Sequence, residues 1–410
     1  MADEGNTAPP PEVGAVAHDP VPVPVPSDQA LRFYRTGFWL WGLGRIWGIA
    51  VPALILFSGF SGRIRRLAEG RGRPWVVTIG LYAVIYLLVE YLIDFPLRYY
   101  SGFVRLHEYG LSVESFGRWL GDSLKGLGVQ MAGAVLFLWI PYLLIARRPR
   151  RWWISVGVFV MIFAAFSAFL APIVIDPIFN EFGPMKDARL ESKIEALARR
   201  SGIEGGKIFE VDKSRETTTV NAYVTGLFGT KRIVLWDTLL AKLDEDEVLA
   251  VMGHEMGHYA LNHVAMGLAL SSFGTFFALF LISRAAHWLI GKYHRRFGFD
   301  RLSDVASVPL ILMLAQVTML LGSPVINAFS RGIEHEADRF ALEITRNNHA
   351  AASAFAKLQR DNLSIPYPDA FSKFWRSSHP PIGERIEFCN DYRPWETGEP
   401  LRYGGLFREP

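Results

Sequence analysis

The chain has 410 residues, of which 50% are hydrophobic, and its mean hydropathy is +0.18. This composition excludes an ordinary soluble enzyme of this length, and the length allows more than one domain. The net charge of +3 says little by itself, whereas the single cysteine, Cys389, excludes an intrachain disulfide. The composition therefore favours a membrane protein.

The N-terminal segment is rich in proline, with alternating valine and proline over residues 21–26. Alternating proline favours an extended backbone without sheet pairing, so residues 1–30 are predicted to form a disordered tail. The segment has no basic start followed by an apolar core, and it is therefore not a signal peptide.

Long apolar stretches follow the tail, and each is close to the ~20 residues that a helix needs to cross a bilayer. Several carry tryptophan or arginine at their ends, as membrane spans do. Four lie within residues 31–175 and two within residues 264–330. The sequence therefore predicts a mainly α fold, a bundle of about six transmembrane helices, at 38–60, 75–95, 127–145, 153–175, 264–290 and 306–329. Residues 101–126 are predicted to be a connector at the membrane surface.

Three short connections between spans are basic, and with six spans all three lie on one side of the bilayer. The polar segment 176–263 then lies on the other side. The positive-inside rule predicts that the basic side is cytoplasmic. The cations of these loops are Arg63, Arg65, Arg66, Arg71, Arg73, Arg147, Arg148, Arg150, Arg151, Lys292, Arg295, Arg296 and Arg301.

Three charges fall within or near the predicted spans. Glu90 and Asp94 share a helix face, and they can pair with Arg45 or line a wet cavity. A transporter that uses these charges is an alternative function, but it leaves the motifs described next unexplained.

Residues 176–263 are predicted to form a small α+β domain. An amphipathic helix over 190–198 precedes three short strands at 207–211, 218–225 and 232–236. The second strand contains Asn221, and a strand beside a cleft can hold an extended peptide by main-chain pairing. An ordinary structural strand is the alternative.

A His-Glu-x-x-His motif at 254–258 lies in an apolar run that is predicted to be helical. His254 and His258 are four residues apart, so they share a helix face and can bind one zinc ion. Glu255 lies beside that face, where it can take a proton from water. Asp244 as N-cap and Glu247 three residues later predict the start of the helix.

The third zinc ligand is sought in residues 327–338, which directly follow the sixth span. Glu334 and Asp338 lie on one polar helix stripe, together with Asn327 and Arg331. This spacing assigns Glu334 to the metal and Asp338 to the orientation of a ligand histidine. His335 is the competing ligand, and residues 331–410 are predicted to hold the third-ligand helix and a C-terminal catalytic segment.

A further candidate is His379, which precedes Pro380 and Pro381 at the predicted start of a helix. Its imidazole can donate a hydrogen bond to the oxyanion that forms when water attacks a peptide carbonyl. A surface or capping histidine is the alternative.

These motifs together resemble the type I CAAX prenyl proteases, integral-membrane zinc metallopeptidases related to the HtpX proteases. The resemblance rests on the ordered motifs at 254–258, 334–338 and 379–381 with Arg385, and on segments 177–180 and 221–223. It implies a metallopeptidase domain of the gluzincin type with one zinc ion.

Carried over to this sequence, the resemblance implies His254, His258 and Glu334 as ligands and Glu255 as general base. It also implies that Asp338 orients a ligand and that Asn221 and His379 hold the substrate or stabilise the transition state. We assign Arg331 to substrate binding as well. Eukaryotic members have seven spans and a cytosolic site, whereas this sequence predicts six spans and its loop charges predict the opposite side.

The leading hypothesis is a membrane zinc endopeptidase that processes the C-termini of prenylated proteins, in a bacterial inner membrane or the endoplasmic reticulum. Its expected partners are a peptide or protein substrate and the lipid bilayer, with no nucleic acid. The alternatives are a membrane-protein quality-control protease of the HtpX type and a non-enzymatic membrane binding or scaffold protein. The intact Glu255 argues against a scaffold, because a structural zinc site needs no base.

Overall fold

A computed structural model of the chain describes residues 19–203, 206–226 and 232–408. Six helical segments in this part of the chain are long and apolar enough to cross a membrane, which confirms the predicted number. They are Asp28–Phe57, Trp75–Glu108, Phe116–Arg147, Trp152–Phe179, His263–Phe297 and Val305–Thr345.

Seven α-helices form the first four spans, and an eighth, α2 over residues 60–68, lies in the connection between the first two. Helix α1 covers Asp28–Phe57, α3 covers Trp75–Tyr99, α5 covers Phe116–Phe137 and α7 covers Trp152–Leu170, and the short helices are α2 (Phe60–Ala68), α4 (Arg105–Glu108), α6 (Trp139–Arg147) and α8 (Asp176–Phe179). The third span begins at Phe116 and not at residue 127, so much of the predicted surface connector is helix. A cluster of aromatic rings accounts for this, because Tyr99, Phe103 and Trp119 pack with Phe116, mostly edge to face, across the α3–α5 turn.

The intramembrane charges do not pair as predicted. Trp47 Nε1 donates to Asp94 Oδ1 over 2.8 Å, so a neutral donor on α1 serves this carboxylate. Arg45 lies over the ring of Trp41 instead, and it forms no ion pair with Glu90 or Asp94 in the described residues.

Residues 19–27 are extended and packed, whereas the sequence predicts a disordered tail through residue 30. Asn390 exchanges two hydrogen bonds with the backbone of Val21, and Gln359 Nε2 donates to Pro24 O. These side-chain amides satisfy a backbone that has no sheet partner. Helix α1 then begins at Asp28, capped by the Ser27 side chain. Residues 1–18 of the predicted tail lie outside the described residues.

The α+β domain that follows the fourth span contains a four-stranded sheet, whose strands lie in the order β1-β2-β4-β3. Strand β1 is Phe182–Gly183, β2 is Lys207–Val211, β3 is Ala222–Thr225 and β4 is Arg232–Trp236. Strands β2 and β4 are parallel, and β3 pairs antiparallel with β4 at the edge of the sheet. Strand β3 begins four residues later than predicted, because Thr218 N donates to Leu111 O and Val220 N donates to Asn362 Oδ1 instead of pairing with a strand.

The remaining helices complete this domain and the last two spans. They are α9 (Ala188–Arg200), α10 (Asp237–Lys242), α11 (Glu245–Ala260), α12 (His263–Phe297), α13 (Val308–Thr345), α14 (Asn348–Asp361), α15 (Ala370–Trp375), α16 (Ile382–Asp391) and α17 (Pro394–Thr397). Helix α9 buries Leu190, Ile194 and Leu197 in a core shared with the sheet and α11.

Helix α13 is a single helix that contains both the sixth span and the predicted third-ligand segment. The predicted domain boundary at residues 330 and 331 therefore falls inside it. Glycines on α11 let α13 approach closely: a Cβ on Gly253 would lie 3.3 Å from Ala341 Cα, and one on Gly257 would lie 3.1 Å from Phe340 Cβ. The helix that carries the His-Glu-x-x-His motif is thus packed directly against the helix that contains the sixth span.

Candidate metal centre and active site

The predicted cap fixes the start of α11. Glu247 N donates to Asp244 Oδ1 over 3.0 Å, and Asp244 N donates to Glu247 Oε2 over 2.8 Å, which is the predicted capping box. Glu247 is buried and also accepts hydrogen bonds from Ser353 and Lys357 of α14. The helix is therefore anchored at its start, and its histidines follow at fixed angles.

Two helices bring the three predicted ligands together. His254 Nε2 and His258 Nε2 lie 3.1 Å apart. Glu334 Oε2 lies 3.2 Å from His254 Nε2, and Glu334 Oε1 lies 3.4 Å from His258 Nε2. Tetrahedral zinc binds nitrogen and oxygen at about 2.0–2.1 Å, which separates neighbouring ligand atoms by about 3.3 Å. The spacing fits such an ion.

The carboxylate of Glu334 supports the same interpretation. Its Oε2 atom is buried and accepts no hydrogen bond from the described residues. An unsatisfied buried carboxylate oxygen is costly, and a bound cation removes that cost. The donor set of two imidazoles and one carboxylate is typical of catalytic zinc.

Asp338, one turn after Glu334, contacts the first of the two predicted ligand histidines. Its Oδ1 lies 2.8 Å from His254 Nδ1, so Nδ1 carries the proton and the Nε2 lone pair faces the metal position. Arg385 binds the same carboxylate through Nε and Nη2, at 2.8 and 2.6 Å. Asp338 and Arg385 form a buried ion pair behind the site.

His263 contacts the second predicted ligand histidine, although helical spacing places it off the metal-binding face. His258 Nδ1 lies 3.0 Å from His263 Nδ1, so the His258 proton on Nδ1 can be donated to His263. The chain reverses between α11 and α12 at Asn262, whose φ of 56° is in the left-handed region that asparagine tolerates. Because this reversal folds His263 back, helical spacing alone does not reveal the contact.

The competing ligand, His335, lies away from the centre. Its ring packs 4.3 Å from that of Phe388, and its Nε2 lies 3.2 Å from Arg339 Nη2. In the described residues, the group that can hold a metal ion is His254, His258 and Glu334.

Burial and neighbouring charges shift the pKa values of His254 and Glu255 at this centre. Burial lowers the pKa of His254, but the neighbouring carboxylates of Asp338 and Glu334 outweigh it and raise that pKa to about 9. Burial raises the pKa of the Glu255 carboxyl, which the neighbouring histidines partly offset. A metal ion therefore has to displace a proton from His254.

An open cavity of about 470 Å³ lies in front of the ligands. Glu255 and His379 line it, as does Asn221 just before the edge strand β3. The lining also includes apolar side chains, among them Leu239, Val251, Phe355 and Leu358, and polar ones such as Asn362, Arg376 and Arg385. The cavity thus combines a metal position, a base and a strand edge.

His379 faces the centre across this cavity. Its Nε2 lies 3.5 Å from Glu334 Oε1, and its Nδ1 lies 2.9 Å from Ser378 Oγ. When the Ser378 hydroxyl donates to Nδ1, the His379 proton is on Nε2 and directed at the reacting region. Desolvation lowers the pKa of His379, which keeps the imidazole neutral at neutral pH.

Comparisons with known proteins agree with this geometry. Residues 184–392 match the model of peptidase family M48, and residues 30–181 match the CAAX prenyl protease N-terminal model, described as five membrane helices. The chain belongs to peptidase family M48. It is a membrane metalloprotease of the CAAX prenyl protease family, as the resemblance implied.

Three relatives illustrate the extent of the match to this M48 chain. The uncharacterized metalloprotease YhfN of Bacillus subtilis is 34% identical and covers 93% of this chain and 90% of its own. CAAX prenyl protease 1 of Saccharomyces cerevisiae is 31% identical over 72% of this chain and 68% of its own. The crystal structure of S. mikatae Ste24p has a TM-score of 0.75 at 25% identity and covers 88% of both chains.

Arg331 is placed differently from the prediction for this metalloprotease. It is not among the residues that line the cavity. Its Nη1 donates to the carbonyl oxygens of Lys373 and Ser377, each over 2.8 Å. It therefore holds the end of α15 and the loop that leads to His379.

Proposed function

We propose that this metalloprotease is a zinc endopeptidase that cleaves near the C-termini of prenylated proteins. The observation that carries the proposal is the cavity itself, where His254, His258 and Glu334 offer ligand atoms within 4.8 Å of one another beside Glu255 and the edge strand β3. The named activity of the yeast relative, CAAX prenyl protease 1, supports the choice of substrate.

The edge strand supports binding of an extended peptide. Trp236 N donates to Asn221 O, and Tyr223 pairs with Val234 two residues further along. Because antiparallel ladders alternate, the backbone groups of Ala222 and Val224 point away from β4. A substrate strand can pair with these groups and so lie along the cavity.

The chain's own residues account for the handling of protons. A zinc ion held by His254, His258 and Glu334 would supply Lewis-acid activation of a peptide carbonyl and of water. Glu255 takes a proton from the attacking water and passes it to the departing amine. His379, neutral and with its proton on Nε2, donates a hydrogen bond to the carbonyl oxygen as negative charge develops there.

The position of the site supports a lipid-modified substrate. Glu334 is on the same continuous helix as the sixth span, so the metal centre lies beside the membrane bundle. A substrate whose C-terminus carries a lipid is concentrated at that boundary, and binding of the lipid holds the scissile bond close to Glu255.

The test is hydrolysis of a farnesylated CAAX peptide by the full chain purified in detergent, beside its unprenylated counterpart. The Glu255→Ala variant is the control, since it keeps the metal ligands. Cleavage that requires both Glu255 and the lipid supports the proposal. Equal, Glu255-dependent cleavage of both peptides would favour a broader membrane protease instead, and no cleavage with zinc bound would contradict both.

A further inference from the structure

Two arginines meet beside the active-site cavity without a carboxylate partner. Arg376 lines the cavity and precedes His379 by three residues. Arg105, at the start of α4, is 8% exposed. Neither guanidinium forms an ion pair with any residue in the described ranges, although uncompensated buried charge is costly.

Each guanidinium is held by neutral groups instead. Arg105 donates to Phe33 O and Thr36 Oγ1 on α1 and lies 3.7 Å from the Phe33 ring centroid. Arg376 donates to Ser372 Oγ and lies over the rings of α1 residues Tyr34 and Phe38. These contacts fix the two side chains but supply no negative charge to either guanidinium.

The two cations converge on Gly37. A Cβ there would lie 3.1 Å from Arg105 Nη2 and 3.7 Å from Arg376 Nη2. The two nitrogens are therefore at most about 7 Å apart, the sum of those distances. Charge-assisted hydrogen bonds are about 2.7–2.9 Å long, so one carboxylate can reach both. Because Gly37 has no side chain, both guanidinium groups can approach this position, and a Cβ there would crowd Arg105.

We propose that Arg376 and Arg105 form an anion subsite that binds the C-terminal carboxylate of the substrate peptide. The inference rests on the proposed function. It explains why the proposed cleavage occurs only a few residues from the C-terminus of the substrate. Three residues span at most about 10–11 Å, so Arg376 lies within a short peptide's reach of His379. A carboxylate bound there places the bond a few residues upstream in front of Glu255.

A peptide-binding measurement tests this inference independently of the proposed hydrolysis. The full chain carrying Glu255→Ala, loaded with zinc in detergent, is titrated with a fluorescent unprenylated CAAX peptide ending in a free acid or in a carboxamide. The acid is expected to bind about tenfold more tightly, as for loss of one charge-assisted contact. This measurement needs neither turnover nor the lipid, so it stands if the prenyl substrate is wrong.

Three variants in that background test the residues. Arg376→Gln should weaken the acid to the level of the amide and leave the amide unchanged. Gly37→Ala keeps both arginines and favours the helix, yet should also remove the preference, because its methyl group occupies the subsite. Arg360→Gln, an exposed change on α14, should have no effect.

Several results would overturn the inference. One is equal affinity of the parent protein for the acid and the amide. Another is an equal loss of affinity for both peptides in Arg376→Gln, and a third is no binding of either peptide at concentrations of about 1 mM. Displacement of both peptides alike by an anionic phospholipid would assign the arginines to a lipid phosphate and would likewise overturn it.

Discussion

Gly257, between the two ligand histidines, lies where α11 meets the helix that carries Glu334. A Cβ at this position would be 3.1 Å from both Phe340 Cβ and Phe340 Cδ1, and 3.3 Å from Ala337 Cα. The Gly257→Ala substitution therefore forces α13 away from α11 and changes the spacing of the metal ligands.

The expected effects of this substitution on zinc affinity and on stability follow from these distances. Ordinary contacts of a Cβ are 3.4–4 Å, so α13 has to move by about 0.3–0.9 Å. Metal sites tolerate about 0.2 Å in ligand distance, and we expect zinc affinity to fall at least about tenfold. Overpacking costs about 1–3 kcal/mol, and alanine returns about 1 kcal/mol of helix propensity, so stability falls by about 0–2 kcal/mol.

Zinc affinity is measured by chelator competition and stability by thermal unfolding in detergent. Gly332→Ala is the matched control, because Gly332 is on α13 two residues before Glu334 and its Cβ would meet nothing within 4 Å. That variant should retain zinc and be no less stable. If Gly257→Ala binds zinc as tightly as the parent, close helix packing does not set the metal geometry.

Four further changes test individual side chains. Glu255→Ala should keep zinc and lose hydrolysis, whereas His258→Ala should lose both, as zinc analysis beside a peptidase assay would show. The pKa of His254 is about 9 without metal, so zinc binding below that pH displaces a proton. Chelator competition should therefore show zinc affinity rising about tenfold per pH unit from pH 7 to 9. Asp338→Asn should weaken zinc about 10–100-fold, as loss of a ligand-orienting partner does, and should lower the unfolding temperature because Arg385 loses its counter-ion. His263→Ala should weaken zinc less than His258→Ala, because it removes only a hydrogen bond to a ligand.

The same measurements can contradict these assignments. Equal zinc loss in Glu255→Ala and His258→Ala would remove the distinction between base and ligand. A zinc affinity that does not change between pH 7 and 9 would mean that His254 is already neutral in the metal-free protein. Tight zinc binding by Asp338→Asn would show that another group orients His254.

The sequence predicts those features that depend on neighbours along the chain. The six spans follow from apolar length, because a helix in lipid satisfies its own backbone hydrogen bonds. The cap at Asp244 and Glu247 and the shared face of His254 and His258 follow from helical spacing within α11. Such patterns need no knowledge of the rest of the fold.

The choice among the acidic and histidine candidates at 334–338 depends on tertiary packing. Helical spacing places Glu334 and Asp338 on one face, but it does not say which face meets α11. The glycines at 253 and 257 bring α13 against that helix, and this contact directs Glu334 to the metal position and His335 to Phe388.

Other contacts join parts of the chain that are far apart in sequence. Arg331 is predicted to bind substrate, yet its guanidinium holds the carbonyls of Lys373 at the end of α15 and of Ser377 just after it. Residues 19–27 looked disordered by composition, yet Gln359 and Asn390 hold them. Local patterns report which way a side chain points along its own helix or strand, and only the packed structure supplies the partner that it meets.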